Sequence, residues 1–114
     1  MNLHDTPSAE QLVESVREWL ERDVLTGTTG RLQFHARVAI NVLAIVEREL
    51  QLGEGQAVAH AVRLAQLGCA DDTELATGIR AGDFDDRLDE VRELVLADVR
   101  AKLAVANPRY LAAD

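Results

Sequence analysis

The stretch FHARVAINVLAIVERE, residues 34–49, decides the fold class. It carries no charge over residues 38–46, and on a helix its apolar residues occupy nearly every face. A helix that is apolar all round is typical of one with neighbours on every side. We therefore predict a central helix over residues 31–52, ended by Gly53 as a normal glycine stop.

Four further helices are predicted from apolar residues at helical spacing, and no Val, Ile or Thr run alternates with the period of a strand. Glycines and one Asn-Pro step mark their ends. Thr6 is the predicted first N-cap, and Asp71 begins a capping-box pattern. The five predicted helices cover residues 7–25, 31–52, 55–67, 72–81 and 85–106. This predicts an all-α fold, a small single-domain helical bundle of three long helices and two short ones. The predicted domain covers residues 1–114, with a flexible N-terminus at 1–5 and a C-terminal tail at 107–114.

Charge and cysteine content narrow the function classes. Asp and Glu outnumber Lys and Arg by 20 to 12, which gives a net charge of −8. Such a chain repels phosphate backbones and anionic lipids, so we expect binding to neither nucleic acid nor membrane. One cysteine, Cys69, excludes an internal disulfide and fits a reducing compartment. With no signal-peptide pattern at the start, a cytoplasmic location is expected.

Metal and cofactor motifs are weak in this sequence. His4, His35 and His60 are far apart and follow no zinc or di-iron spacing. The acidic run DDRLD, residues 85–89, resembles a Mg²⁺-diphosphate motif, but acidic residues are also favoured in the first turn of a helix. We therefore expect no metal, no cofactor and no catalytic residue.

His35, Arg37 and Asn41 are the first candidate site. Asn41 shares a helix face with apolar residues, so we expect it to be substantially buried and to need a hydrogen-bond partner. One interpretation is that Asn41 bonds a backbone group and fixes the packing of the core. The other is a polar pocket or subunit contact formed by His35, Asn41 and a group from elsewhere in the fold.

A second candidate is the C-terminal stretch LAVANPRYL, residues 103–111. Tyr and Arg are favoured as interface anchors because they combine a large contact area with directional hydrogen-bond donors. Asn107, Pro108, Arg109 and Tyr110 either dock onto another chain or cover the end of the core.

These segments also carry a resemblance. GRLQFHARVAINVLAIVEREL, residues 30–50, followed by KLAVANPRYL, residues 102–111, resembles a bacterial family of domains of unknown function. The opening TPSAEQLVESVREWLERDV, residues 6–24, resembles the family's first helix. The resemblance implies a small helical companion, encoded beside a phosphotransferase-like kinase and an acyl-CoA dehydrogenase. It carries no established catalytic residue.

Two function hypotheses remain open. The first is a non-enzymatic accessory or interaction module that binds the kinase-like enzyme or the dehydrogenase in acyl or hydroxy-acid metabolism. The alternative is a binder of an acyl or phosphorylated metabolite, or a minor catalyst, with a polar pocket around His35 and Asn41. A homodimer through the first or fifth helix is a further interpretation. An interface needs these polar groups on an exposed rim around apolar surface, whereas a pocket needs them to converge in a cavity.

Overall fold

The computed structural model describes residues 6–112, with side chains to residue 111, and these residues form five helices and no strand. Helix α1 comprises Ala9–Trp19, a π-helical turn Leu20–Val24 and Leu25–Gly27; α2 is Gly30–Gln66, α3 Asp72–Ala81, α4 Leu88–Ala106 and α5 Pro108–Ala112. The all-α prediction is confirmed, with three long helices and two short ones. The predicted flexible segment 1–5, with His4, lies outside the described residues.

The first helix begins later than predicted. Its N-cap is Ser8, not Thr6, because Ser8 Oγ accepts from the backbone N–H of Gln11 at 3.1 Å. The Gln11 side chain in turn accepts from the backbone N–H of Ser8 at 2.8 Å. This reciprocal capping box satisfies two donors that a helix start would otherwise leave unpaired.

The predicted stop at Gly53 is wrong, because α2 continues through it to Gln66. A glycine ends a helix when it takes a left-handed φ, and the glycines with positive φ in this chain are Gly30, Gly68 and Gly82. Each glycine inside a helix costs about 1 kcal/mol relative to alanine. Tertiary bonds past this point, such as Gln56 Nε2 donating to the carbonyl oxygen of Ala101 at 2.8 Å, offset that cost.

The ends of α3 and α4 agree more closely with the prediction than the end predicted at Gly53. The N-cap prediction at Asp71 is confirmed, since its Oδ1 accepts from the N–H of Glu74 at 2.8 Å. Gly82 ends α3 at φ 84°. Helix α4 begins at Leu88 rather than 85, because residues 82–87 form a turn that buries Phe84.

The contacts divide the chain between Leu52 and Gly53 into an N-terminal and a C-terminal unit. The prediction of a single domain therefore stays a prediction. In the C-terminal unit, the buried apolar residues form one cluster contributed by the end of α2, α3, α4 and the connecting turns. Its members are Leu64, Leu67, Cys69, Leu75, Phe84, Val91 and Leu94.

The N-terminal unit is an antiparallel hairpin of α1 and the first part of α2. At one end Gln51 Nε2 donates to Glu10 at 2.5 Å, and at the other Gln33 Nε2 donates to the carbonyl oxygen of Leu25 at 3.1 Å. Between them Arg17 Nε and Nη2 donate to the two carboxylate oxygens of Glu47. Among residues 6–52, only Ala36 and Glu47 are buried. The predicted helix with neighbours on every side has one neighbour in this unit.

Candidate functional site

An exposed apolar strip with polar flanks lies on α2 of the N-terminal unit. Phe34, Val38 and Val42 are 60%, 43% and 52% exposed and follow one another at i, i+4 spacing. We call this strip, together with its flanking residues His35, Arg37 and Asn41, the Phe34 surface; all three flanking residues are also exposed.

The expected burial of Asn41 is wrong. Helix α2 packs against α1 through the side that carries Ala36 and Glu47, and Asn41 lies about 120–140° away from those two residues at about 100° per residue. It therefore needs no buried partner, because water reaches its amide.

His35 and Asn41 do not converge. They lie about 120° apart around the helix, on opposite flanks of the apolar strip. His35 Nε2 accepts from Arg31 Nε at 3.4 Å, and its ring meets the Phe34 ring edge-on with centroids 5.6 Å apart. Both contacts are local to one exposed helix surface.

The C-terminal candidates belong to the other unit. Asn107 ends α4, as predicted, with its N–H donating to the carbonyl oxygen of Leu103 at 2.8 Å. The predicted tail begins as a further short helix, because Pro108 opens α5 and Tyr110 N–H donates to the carbonyl oxygen of Asn107 at 3.1 Å. Arg109 is exposed, and Tyr110 is 61% exposed.

The C-terminal unit contains a charged cluster that sequence reasoning missed. His60 on α2 uses both ring nitrogens, with Nδ1 2.8 Å from Asp98 of α4 and Nε2 2.9 Å from Asp72 of α3. Arg63 Nη2 donates to the same Asp98 oxygen at 2.8 Å. The spacing of His60 and Arg63 by three residues was a signal for a shared helix face, but nothing local identifies carboxylates 12 and 38 residues away.

These contacts shift the pKa values of two members of the cluster. The hydrogen bond to Asp98 raises the pKa of His60 above its ordinary 6.5, against the opposing effect of burial, and Asp72 adds to the increase. Burial acts to raise the pKa of Asp98, but hydrogen bonds from Arg63 and His60 outweigh it and lower the pKa below 3.8. A protonated His60 therefore joins three helices of this unit by ion pairs.

An open apolar groove of about 300 Å³ adjoins the cluster. It is lined by Leu75, Ala76, Ile79, Val95, Val99 and Lys102, together with Asp72 and Asp98 of the cluster. Since both His60 nitrogens are engaged, the ring has no free atom for a metal or a substrate. Within residues 6–112, no three His, Cys, Asp or Glu side chains are grouped so as to hold a metal ion.

A comparison with protein-family models matches residues 26–110 to a domain of unknown function, DUF6285. The chain belongs to the DUF6285 family. No curated protein and no solved structure matches it.

The DUF6285 match contains the Phe34 surface, the His60 cluster and the C-terminal candidates, whereas most of α1 precedes it. The likeness of residues 6–24 to a first helix of the family stays a prediction. None of the helices in the described part of this DUF6285 chain is long and apolar enough to cross a membrane. What the chain offers for binding is exposed apolar surface with polar flanks.

Proposed function

We propose that the chain is a non-enzymatic helical module that binds a protein partner through the Phe34 surface. The proposed partner is the phosphotransferase-like kinase or the acyl-CoA dehydrogenase that its resemblance associates with the family. In this proposal the module stabilises or regulates that enzyme in acyl or hydroxy-acid metabolism.

One observation carries the proposal, namely that the three polar candidates are exposed around apolar residues instead of converging in a cavity. A binding pocket would draw His35 and Asn41 together, whereas they flank the strip on opposite sides. An apolar centre that includes an aromatic residue, surrounded by polar groups, is the usual anatomy of a protein interface. Phe34 at 60% exposure supplies a large apolar contact at the centre.

The experiment measures binding of the purified full chain to each of the two enzymes by titration calorimetry. Val38→Glu places a charge in the middle of the Phe34 surface, and we expect affinity to fall at least about fivefold, since loss of one interface anchor costs more than about 1 kcal/mol. The matched control is Val62→Glu, a valine on the same helix that is 52% exposed, compared with 43% for Val38. Both variants should keep the helicity of the parent chain, since glutamate is a good helix former.

Two results would contradict this function. The first is no detectable binding to either enzyme, and the second is an equal loss of affinity in both variants. Binding of an acyl or phosphorylated metabolite that His35→Ala abolishes, in the absence of either enzyme, would favour the pocket alternative.

A further inference from the structure

The N-terminal unit has a second exposed apolar region, which we call the Trp19 surface. It consists of Leu12, Val16 and Trp19 on α1 with Leu43, Val46 and Leu50 on α2. Leu12, Val16, Trp19 and Leu50 are 55%, 49%, 54% and 45% exposed, and the other two are half-buried.

The geometry of the hairpin places these residues on one side. Viewed down the axis of α1, Leu12, Val16 and Trp19 lie within about 60° of one another. They are rotated by about 120° from the side of α1 that carries Arg17 and faces α2. Because the two helices are right-handed and antiparallel, the stripe of α2 at residues 43, 46 and 50 lies on the same side of the hairpin.

The opposite side of the hairpin is charged. There α1 presents Glu14, Glu18 and Glu21, again by the rotation of about 100° per residue. The Trp19 surface itself contains no Asp, Glu, Lys or Arg. The hairpin therefore has one apolar side and one charged side, the latter also carrying Arg37 and Arg48 of α2.

Two helices alone cannot enclose such a side, because a helical layer must bury its stripe against another layer. The described part of this unit fully buries one apolar residue, Ala36, at 4% exposure. A four-helix bundle is the common way in which antiparallel hairpins complete a core.

We propose that the Trp19 surface packs against the Trp19 surface of a second copy of this chain, so that two hairpins form a four-helix bundle. The six side chains leave on the order of 500 Å² open, comparable with the largest patch on a typical monomer. A standard interface buries roughly 800 Å² per partner, so the proposed dimer must also bury residues that flank these six. A two-fold axis brings the charge-free patch onto itself, so that two acidic chains meet without opposing carboxylates.

Constant availability favours a second copy over a different protein as the cover of the Trp19 surface. The hairpin needs a cover for its own core in every state of the chain, and a second copy is available wherever the chain is made, whereas a different protein is not. The Phe34 surface lies on a different side of α2, so it stays open for the partner proposed above.

The test uses the full chain and its only tryptophan, Trp19, which reports on the proposed contact itself. Sedimentation equilibrium should give about 25 kDa, twice the mass of the 12.5 kDa chain. On dilution, the Trp19 emission of the wild-type protein should move to longer wavelength over the same concentration range in which the mass halves. Val16→Glu should give a helical monomer with red-shifted emission, whereas Val62→Glu should stay dimeric.

Each other result overturns the proposal. A wild-type monomer at about 100 µM excludes a functional dimer, and if its Trp19 emission is blue-shifted, another part of the same chain covers the surface. A dimer that survives Val16→Glu, or whose dissociation leaves Trp19 emission unchanged, uses a different face. The dilution series needs no variant, so the result stands even if Val16→Glu fails to fold. Val38→Glu should leave the mass at about 25 kDa, which separates this proposal from the proposed function.

Discussion

Replacing Gly78 by alanine should destabilise the C-terminal unit, although the same change usually strengthens a helix. Gly78 lies inside α3, where alanine normally gains about 1 kcal/mol over glycine. A Cβ atom at this position would lie 2.5 Å from Cε2 and 3.2 Å from Cδ2 of the Phe84 ring. The ring is 7% exposed, so it has little room to move away. Overpacking of this kind costs about 1–3 kcal/mol, and after the gain of about 1 kcal/mol from alanine we expect a net loss of up to about 2 kcal/mol.

The hydrogen-bonded turn around Phe84 makes this clash hard to relieve. The carbonyl oxygen of Phe84 accepts from Arg87 N–H at 2.8 Å, and the neighbouring Asp85 N–H donates to the carbonyl oxygen of Gly82 at 3.2 Å. These bonds hold the backbone on both sides of the ring. The side chain alone must therefore absorb the displacement.

Gly55→Ala is the matched control, because Gly55 also lies in a helix but an added Cβ would meet nothing within 4 Å. It should stabilise the protein by about 1 kcal/mol. Urea unfolding followed by circular dichroism measures both variants, and the midpoint should move in opposite directions at constant m value. If Gly78→Ala is as stable as the wild type, Phe84 does not pack against this glycine as described. Adding Phe84→Leu to Gly78→Ala should recover part of the loss, because the smaller side chain removes the clash.

Three further predictions follow from charge and exposure. The folded state raises the pKa of His60, so the contribution of His60 to the free energy of unfolding is complete below pH 6.5, its ordinary pKa, and is lost as pH rises through its raised pKa. The urea midpoint should therefore fall from about pH 6 to about pH 8, and His60→Gln should remove this fall. Arg17→Met should cost about 1–3 kcal/mol by leaving the buried Glu47 carboxylate unpaired, whereas Arg22→Met, in an exposed pair, should cost less than about 0.5 kcal/mol in the same assay. We propose the C-terminal segment as a second docking element for the partner enzyme, since Tyr110 is 61% exposed. Deleting residues 109–114 should leave helicity and melting temperature nearly unchanged but reduce co-purification of the partner enzyme. A fall of many degrees in melting temperature would mean that the segment closes the core.

Local signals predicted the fold class and several helix ends, because the physical cause lies within a few residues. Asp71 caps α3 through the N–H three residues later, and Gly82 ends it with a left-handed φ. Gly53 carried the same signal and failed, since a glycine permits a left-handed φ without requiring it. Contacts such as that of Gln56 with Ala101, which are 45 residues apart, favour the continued helix and are invisible to a local signal.

The His60 cluster could not be predicted for the same reason. Its bonds join α2 to Asp98, 38 residues away, and to Asp72, 12 residues away. In the sequence these carboxylates are indistinguishable from the many acidic residues that face solvent. Only the packing of the three helices decides which of them meet the imidazole.

Asn41 shows what helical periodicity alone cannot predict. Periodicity predicts which residues share a side of α2, and Asn41 does lie beside the apolar residues Phe34 and Val38. It could not establish whether a neighbour covers that side, because apolar residues have the same spacing against a core, a partner or a second copy. A helix that is apolar all round, packed in its own unit against α1 alone, implies neighbours that this unit does not supply. The two proposed surfaces, one for a partner enzyme and one for a second copy, account for both uncovered sides of α2 without requiring Asn41 to be buried in the isolated chain.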